Sequence, residues 1–136
     1  MKQLKVLSIL AIIVIFISAC KSTPHDKING KWNVTKIENS TMTDQEDIDF
    51  FNQMNADLIN NEELKFTDGK ITKTFPEIKE GKWEMNETGT QLMIDWGEDD
   101  TYSPHNFVIK SLSDDSMVIE EDYDEFFITT TLKKIK

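Results

Sequence analysis

From Gly30 to the last residue, Lys136, the chain alternates apolar with polar residues in short runs, and turn-forming residues stop each run. Successive side chains of a β-strand point to opposite faces, so such alternation marks strands with one face buried. Residues 30–37 place Trp32 and Val34 on one side, and residues 63–67 do the same with Leu64 and Phe66. The pattern recurs over residues 71–75, 82–86, 91–96, 106–111, 117–123 and 126–133. Asp68-Gly69, Pro76, Thr88-Gly89, Asp114-Asp115 and Asp124-Glu125 separate these runs and predict tight connections. One window departs from the period of two. After Thr43, with Glu46 three residues on as a capping box, Ile48, Phe51, Met54 and Leu58 recur at helical spacing until Asn60-Asn61.

Eight short sequential strands predict an all-β domain, an antiparallel up-and-down barrel with one helix between strands 1 and 2. Eight is a strand number that closes a small barrel and removes exposed edges. The alternative architecture is an open curved sheet with the helix on its concave side.

The amino-terminal segment reads differently. Lys2 and Lys5 precede an apolar run, residues 6–17, broken only by Ser8. The run is shorter than the about 20 residues a membrane-spanning helix needs. With small residues behind it, it reads as a signal peptide over residues 1–19. Residues 20–28 then read as a polar tether and residues 29–136 as the barrel domain.

Charge and cysteine content narrow the function. The net charge is −10, from 25 acidic against 15 basic residues, and every basic residue is lysine. That balance argues against nucleic-acid partners and against electrostatic adhesion to anionic lipid. The absence of arginine removes the bidentate fork that many phosphate and carboxylate sites use. Cys20 is the single cysteine, which leaves no disulfide within the chain.

Ile17-Ser18-Ala19-Cys20 resembles the lipobox of bacterial lipoproteins. The resemblance implies a lipidated Cys20, cleavage before it and acylation of the new amino terminus. It also implies a bacterial envelope protein whose membrane partner is its own lipid. Lys21 stands where lipoproteins retained at the inner membrane carry Asp, which fits an outer-membrane destination in a cell with two membranes. Further along, Gly30-Lys31-Trp32, the apolar strand ending in Asp68-Gly69, and Gly81-Lys82-Trp83 resemble the lipocalin-like domains of bacterial lipoproteins. In that superfamily the first Trp packs across the closed end of the barrel, and the Gly lets the entering chain pass beneath it. The helix position is similar to the lid of intracellular fatty-acid-binding proteins.

The inward rows of such a barrel provide the candidate ligand site: Phe66, Lys73, Phe75, Met85, Ile94, Trp96, Phe107, Tyr123 and Ile128. This lining suits a small hydrophobic or amphipathic ligand, and Lys73 either holds a ligand carboxylate or snorkels at the barrel mouth. The same residues could equally fill the interior, leaving a solid barrel that serves as an interaction module for another envelope protein. The helix, by its Phe51, Met54 and Leu58, would act as lid or plug. His25 and His105 are far apart in sequence, and the acidic stretches at 95–100 and 120–125 read as solvated turns. The chain shows no cofactor motif, no zinc-ligand set and no catalytic motif, so it reads as a non-enzyme.

Overall fold

The computed structural model describes residues 22–136. Eight antiparallel strands close into one barrel in chain order, with the last strand paired to the first. They are β1 (Gly30–Asn39), β2 (Glu63–Thr67), β3 (Lys70–Lys73), β4 (Lys79–Met85), β5 (Gln91–Asp95), β6 (His105–Leu112), β7 (Ser116–Asp122) and β8 (Phe127–Lys134). The closed barrel, not the open sheet, is the architecture. Closure is made by β1, which gives its first residues to β2 and continues along β8 to Asn39. A register shift between Val34 and Lys36 lets it do both, because a bulge bends and twists the strand locally. A second shift, between Ile109 and Ser111, bends β6 against β7.

Helix α1 (Pro24–Ile28) lies within the stretch read as a tether. Thr23 caps it through a reciprocal box: its Oγ1 accepts from the Asp26 N–H at 3.2 Å, and Asp26 accepts from the Thr23 N–H at 3.1 Å. Pro24 fits the first turn, where a missing N–H costs nothing. The helix belongs to the domain, since Ile28 is fully buried in the core and its carbonyl accepts from Trp32 Nε1 at 2.8 Å. Lys134 fastens it from β8, donating to the Lys27 carbonyl at 2.7 Å while standing 5.1 Å over the Trp32 ring.

The longer helix α2 (Gln45–Asn61) joins β1 to β2. Its cap is Asp44, one residue later than expected, because Asp44 holds the extended conformation and accepts from the Glu46 N–H at 3.0 Å. The expected stripe also shifts. Phe51, Asn55 and Leu58 face the barrel, while Met54 is 66% exposed beside Phe50 at 64%. Asn55, not Met54, completes the inward face at the period of 3.6.

Two glycines are required by the packing. Gly30 has φ +128° where the chain turns from α1 into β1, a conformation that disfavours any Cβ. At Gly81 a Cβ would stand 2.6 Å from the Asp95 carbonyl oxygen and 2.9 Å from the Trp96 ring. The glycine of the second Gly-Lys-Trp thus lets β5 and Trp96 lie directly against β4.

The core occupies one half of the barrel. Trp32, Val34, Phe66, Ile71, Leu92, Met117 and Leu132 fill it around Trp83, Met85, Ile94 and Ile119. Phe66 meets Trp83 edge-on, with ring centroids 5.7 Å apart. The β2–β3, β4–β5 and β6–β7 turns surround this filled end together with α1, and α2 with the other connections lies at the opposite end.

Candidate open-mouth site

At the end opposite α1 the barrel is open, with a cavity of about 490 Å³. Ile37, Phe51, Leu58, Phe75, Trp96 and Ile128 provide its apolar wall, and Lys73, Tyr123 and Thr130 are among its polar groups. Strand parity places Lys73, Trp96, Tyr123, Ile128 and Thr130 here, each one or two inward positions beyond a core residue, while Phe51 and Leu58 come from α2. Six of the nine candidate ligand residues come together at this mouth: Lys73, Phe75, Trp96, Phe107, Tyr123 and Ile128. The other three do not. Phe66, Met85 and Ile94 lie deeper and are packed into the filled half, because the indole of Trp32 and its neighbours occupy that volume. Phe75 reaches the mouth from the loop after β3, which ends at Lys73 rather than at Phe75.

Lys73 turns its ammonium over the ring of Trp96, 5.1 Å from the centroid. Among the described residues no carboxylate forms an ion pair with it. Glu62, at the end of α2, lines the same cavity. Burial pushes its carboxyl above the usual range, and the Lys73 charge only partly offsets this.

A polar cluster that strand alternation did not single out forms another part of the rim. His105 Nδ1 lies 2.7 Å from Glu121 Oε2, and Nε2 lies 2.9 Å from Asp100 Oδ2. Asp100 is held by Ser103 Oγ at 3.1 Å and by the Tyr102 N–H at 3.1 Å. Tyr123 donates to the other oxygen of Glu121 and stacks on Phe126 at 5.2 Å. Burial pulls His105 toward the neutral form. The hydrogen bonds and charges of both carboxylates outweigh it, and the imidazole titrates above its ordinary 6.5. Asp100 is held below its usual value, chiefly by the His105 bond. Burial, then the bond to Glu121, pushes the Tyr123 phenol far up. The acidic stretches are thus not wholly solvated turns, since Asp100 and Glu121 clamp a histidine between the β5–β6 loop and β7. Among the described residues no group of three or more potential ligands is arranged to hold a metal ion.

This clamp has a pH signature. A histidine raised in the folded state contributes stability that is fully present below about 6.5 and is lost as pH rises through its folded value. Unfolding midpoints in urea are expected to fall from mildly acidic to alkaline pH, with a shallower fall in His105→Gln. Parallel pH curves for the two chains would show that the clamp contributes nothing.

With this geometry in place, the comparisons with known proteins are specific. The family model described as a lipocalin-like domain matches residues 28–119. The chain belongs to the lipocalin-like domain family. A crystal structure of a lipocalin-like protein from Bacteroides uniformis ATCC 8492 superposes with a TM-score of 0.55 at 14% identity, covering 80% of this chain and 99% of that one. No curated protein matches the sequence.

Proposed function

We propose that this protein is a lipid-anchored envelope lipoprotein whose barrel mouth binds a small amphipathic molecule with an anionic head. The observation that carries the reading is the pairing of an apolar, aromatic-walled cavity with the ammonium of Lys73. A cavity of about 490 Å³ falls within the range of small-molecule sites. The tail would lie against Phe51, Phe75, Trp96 and Ile128, and the head would meet Lys73. The anchor rests on Ile17-Ser18-Ala19-Cys20, which lies outside the described residues. The role is one of binding rather than catalysis, with the aqueous envelope as the place of exchange.

Trp96 reports the site, since it lines the mouth while Trp32 and Trp83 are packed in the core. Titrating the protein with a long-chain carboxylate is expected to change Trp96 fluorescence saturably, and Trp96→Phe should abolish the change. Lys73→Ala is expected to weaken carboxylate binding roughly tenfold or more, because a hydrogen bond to a charged group contributes about 1.5–3 kcal/mol. Binding of the matching long-chain alcohol should be nearly unaffected. Equal losses for acid and alcohol would remove Lys73 from the head-group role, and absence of any saturable signal would remove the site.

The exposed Phe50 and Met54 on the outer face of α2 favour a second reading, a protein partner seated beside the mouth. It predicts a stable complex with another envelope protein and no response to the carboxylate.

A further inference from the structure

We infer that the filled end of the barrel faces an anionic bilayer surface and that the mouth opens away from it. This rests on the lipid anchor at Cys20 and adds an orientation to it. Helix α1 is bound to the filled end, with its Thr23 cap three residues after Cys20. Three residues reach about 11 Å at most, so a lipidated Cys20 would hold this end close to the lipid headgroups.

The distribution of charge favours the same orientation. Lys65, Lys70 and Lys82 line an outer groove near the Asp68-Gly69 turn of the filled end, and none of them has an ion-pair partner among the described residues. Glu80 and Asp95 share that groove, but Lys133 and Lys136 add charge at the end of β8. Asp68, Glu87, Asp114 and Asp115 offset these lysines, so this end carries little net charge. The mouth end is different. Asp44, Glu46 and Asp47 open α2, Glu98 and Asp99 stand in the β5–β6 loop, and Asp124 and Glu125 form the β7–β8 turn. The excess of acidic over basic residues is therefore concentrated around the mouth.

Screening decides whether the total or the distribution matters. The eight residues of β8, rising about 3.3 Å each and tilted about 40°, span about 20 Å along the barrel. The Debye length at physiological salt is about 8 Å. With the filled end against the surface, the acidic end lies beyond two screening lengths and its repulsion is largely lost. Inverted, the acidic end would meet the anionic headgroups directly. An acidic chain can thus lie against anionic lipid by one end only. The ligand would then enter from the aqueous side rather than straight from the supporting leaflet.

The test uses the full lipidated chain in vesicles containing anionic phospholipid. With Cys20 acylated, a Cys introduced at Thr88→Cys in the β4–β5 turn or Thr101→Cys in the β5–β6 loop is the sole free thiol for a donor dye. Transfer to headgroup-labelled lipid is expected to be at least twofold greater from position 88 than from position 101. Raising salt, replacing the anionic lipid by zwitterionic lipid, or combining Lys65→Glu, Lys70→Glu and Lys82→Glu should narrow the difference while the chain stays with the vesicles. Equal or greater transfer from position 101 would overturn the orientation, and a difference indifferent to salt and lipid charge would overturn its electrostatic origin. A chain that does not sediment with vesicles would overturn the anchor and the orientation together. The carboxylate titration of Trp96 reads the mouth site independently of all three.

Discussion

Trp32→Ala is expected to destabilise the protein by about 3–5 kcal/mol, the range for truncating a large buried aromatic. Native domains are stable by only about 5–15 kcal/mol, so this one change approaches or exceeds the available margin. The cost has several sources. Trp32 is fully buried, and its removal empties the centre of the filled half between Ile28, Phe66 and Leu132. The Ile28 carbonyl loses its Nε1 donor and Lys134 loses the ring beneath it, which loosens α1 from the barrel. Trp32→Phe separates these effects, keeping much of the volume but not the N–H, and should cost about 1–3 kcal/mol for the unpaired carbonyl and the lost edge of the ring. Urea unfolding followed by far-ultraviolet circular dichroism measures both. A loss under about 1 kcal/mol for Trp32→Ala would mean that the closed end does not depend on this residue.

The second large effect concerns location rather than stability. Cys20→Ala is expected to move the protein almost completely from the membrane fraction, as an unprocessed precursor or a soluble chain. Each buried methylene of an acyl chain contributes about 0.8 kcal/mol, and two lipid signals suffice for stable anchoring. The folded domain provides no substitute among its helices, since no described helix is long and apolar enough to cross a membrane. Fractionation and intact mass read the result together. Unchanged membrane association and unchanged mass in Cys20→Ala would contradict lipidation at this position.

The barrel was legible in the sequence because alternation and turn residues agree along nearly its whole length. Strands from Gly30 to Lys134 begin and end within a few residues of the expected limits. What escaped has identifiable physical causes. Helix α1 has only five residues, too few to show a period, yet Thr23-Pro24-His25-Asp26 carries a cap, a first-turn proline and a reciprocal acid. The helix face shifted because Asn55 is polar and Met54 apolar, so composition at those two positions opposes their exposure. Depth within the barrel was not readable from parity, which distinguishes inward from outward but not filled from open. Phe66 and Trp96 are both inward, and only the bulk around Trp32 assigns one to core and the other to mouth.

The histidine clamp was half legible. Glu121 has the same parity as Met117, Ile119 and Tyr123, and His105 the same as Phe107 and Ile109, so both were due to face inward. Their meeting depends on the β6–β7 register, which pairs Phe107 with Glu121 and sets His105 on the adjoining diagonal. Asp100 arrives from a loop whose course no periodicity describes. Net charge was legible as a number but not as a distribution, and the orientation we infer at the bilayer depends on the distribution.

In the function we propose, the mouth, not the filled half or the outer wall, holds an amphipathic ligand. Backbone amide shift mapping of the isotopically labelled protein, titrated with a long-chain carboxylate, tests it most directly. Saturable shifts are predicted at Phe51, Leu58, Lys73, Trp96, Tyr123 and Ile128, with Trp32, Phe66 and Leu132 little changed. Shifts confined to the outer groove around Lys65, Lys70 and Lys82, or no saturable shifts at all, would contradict it.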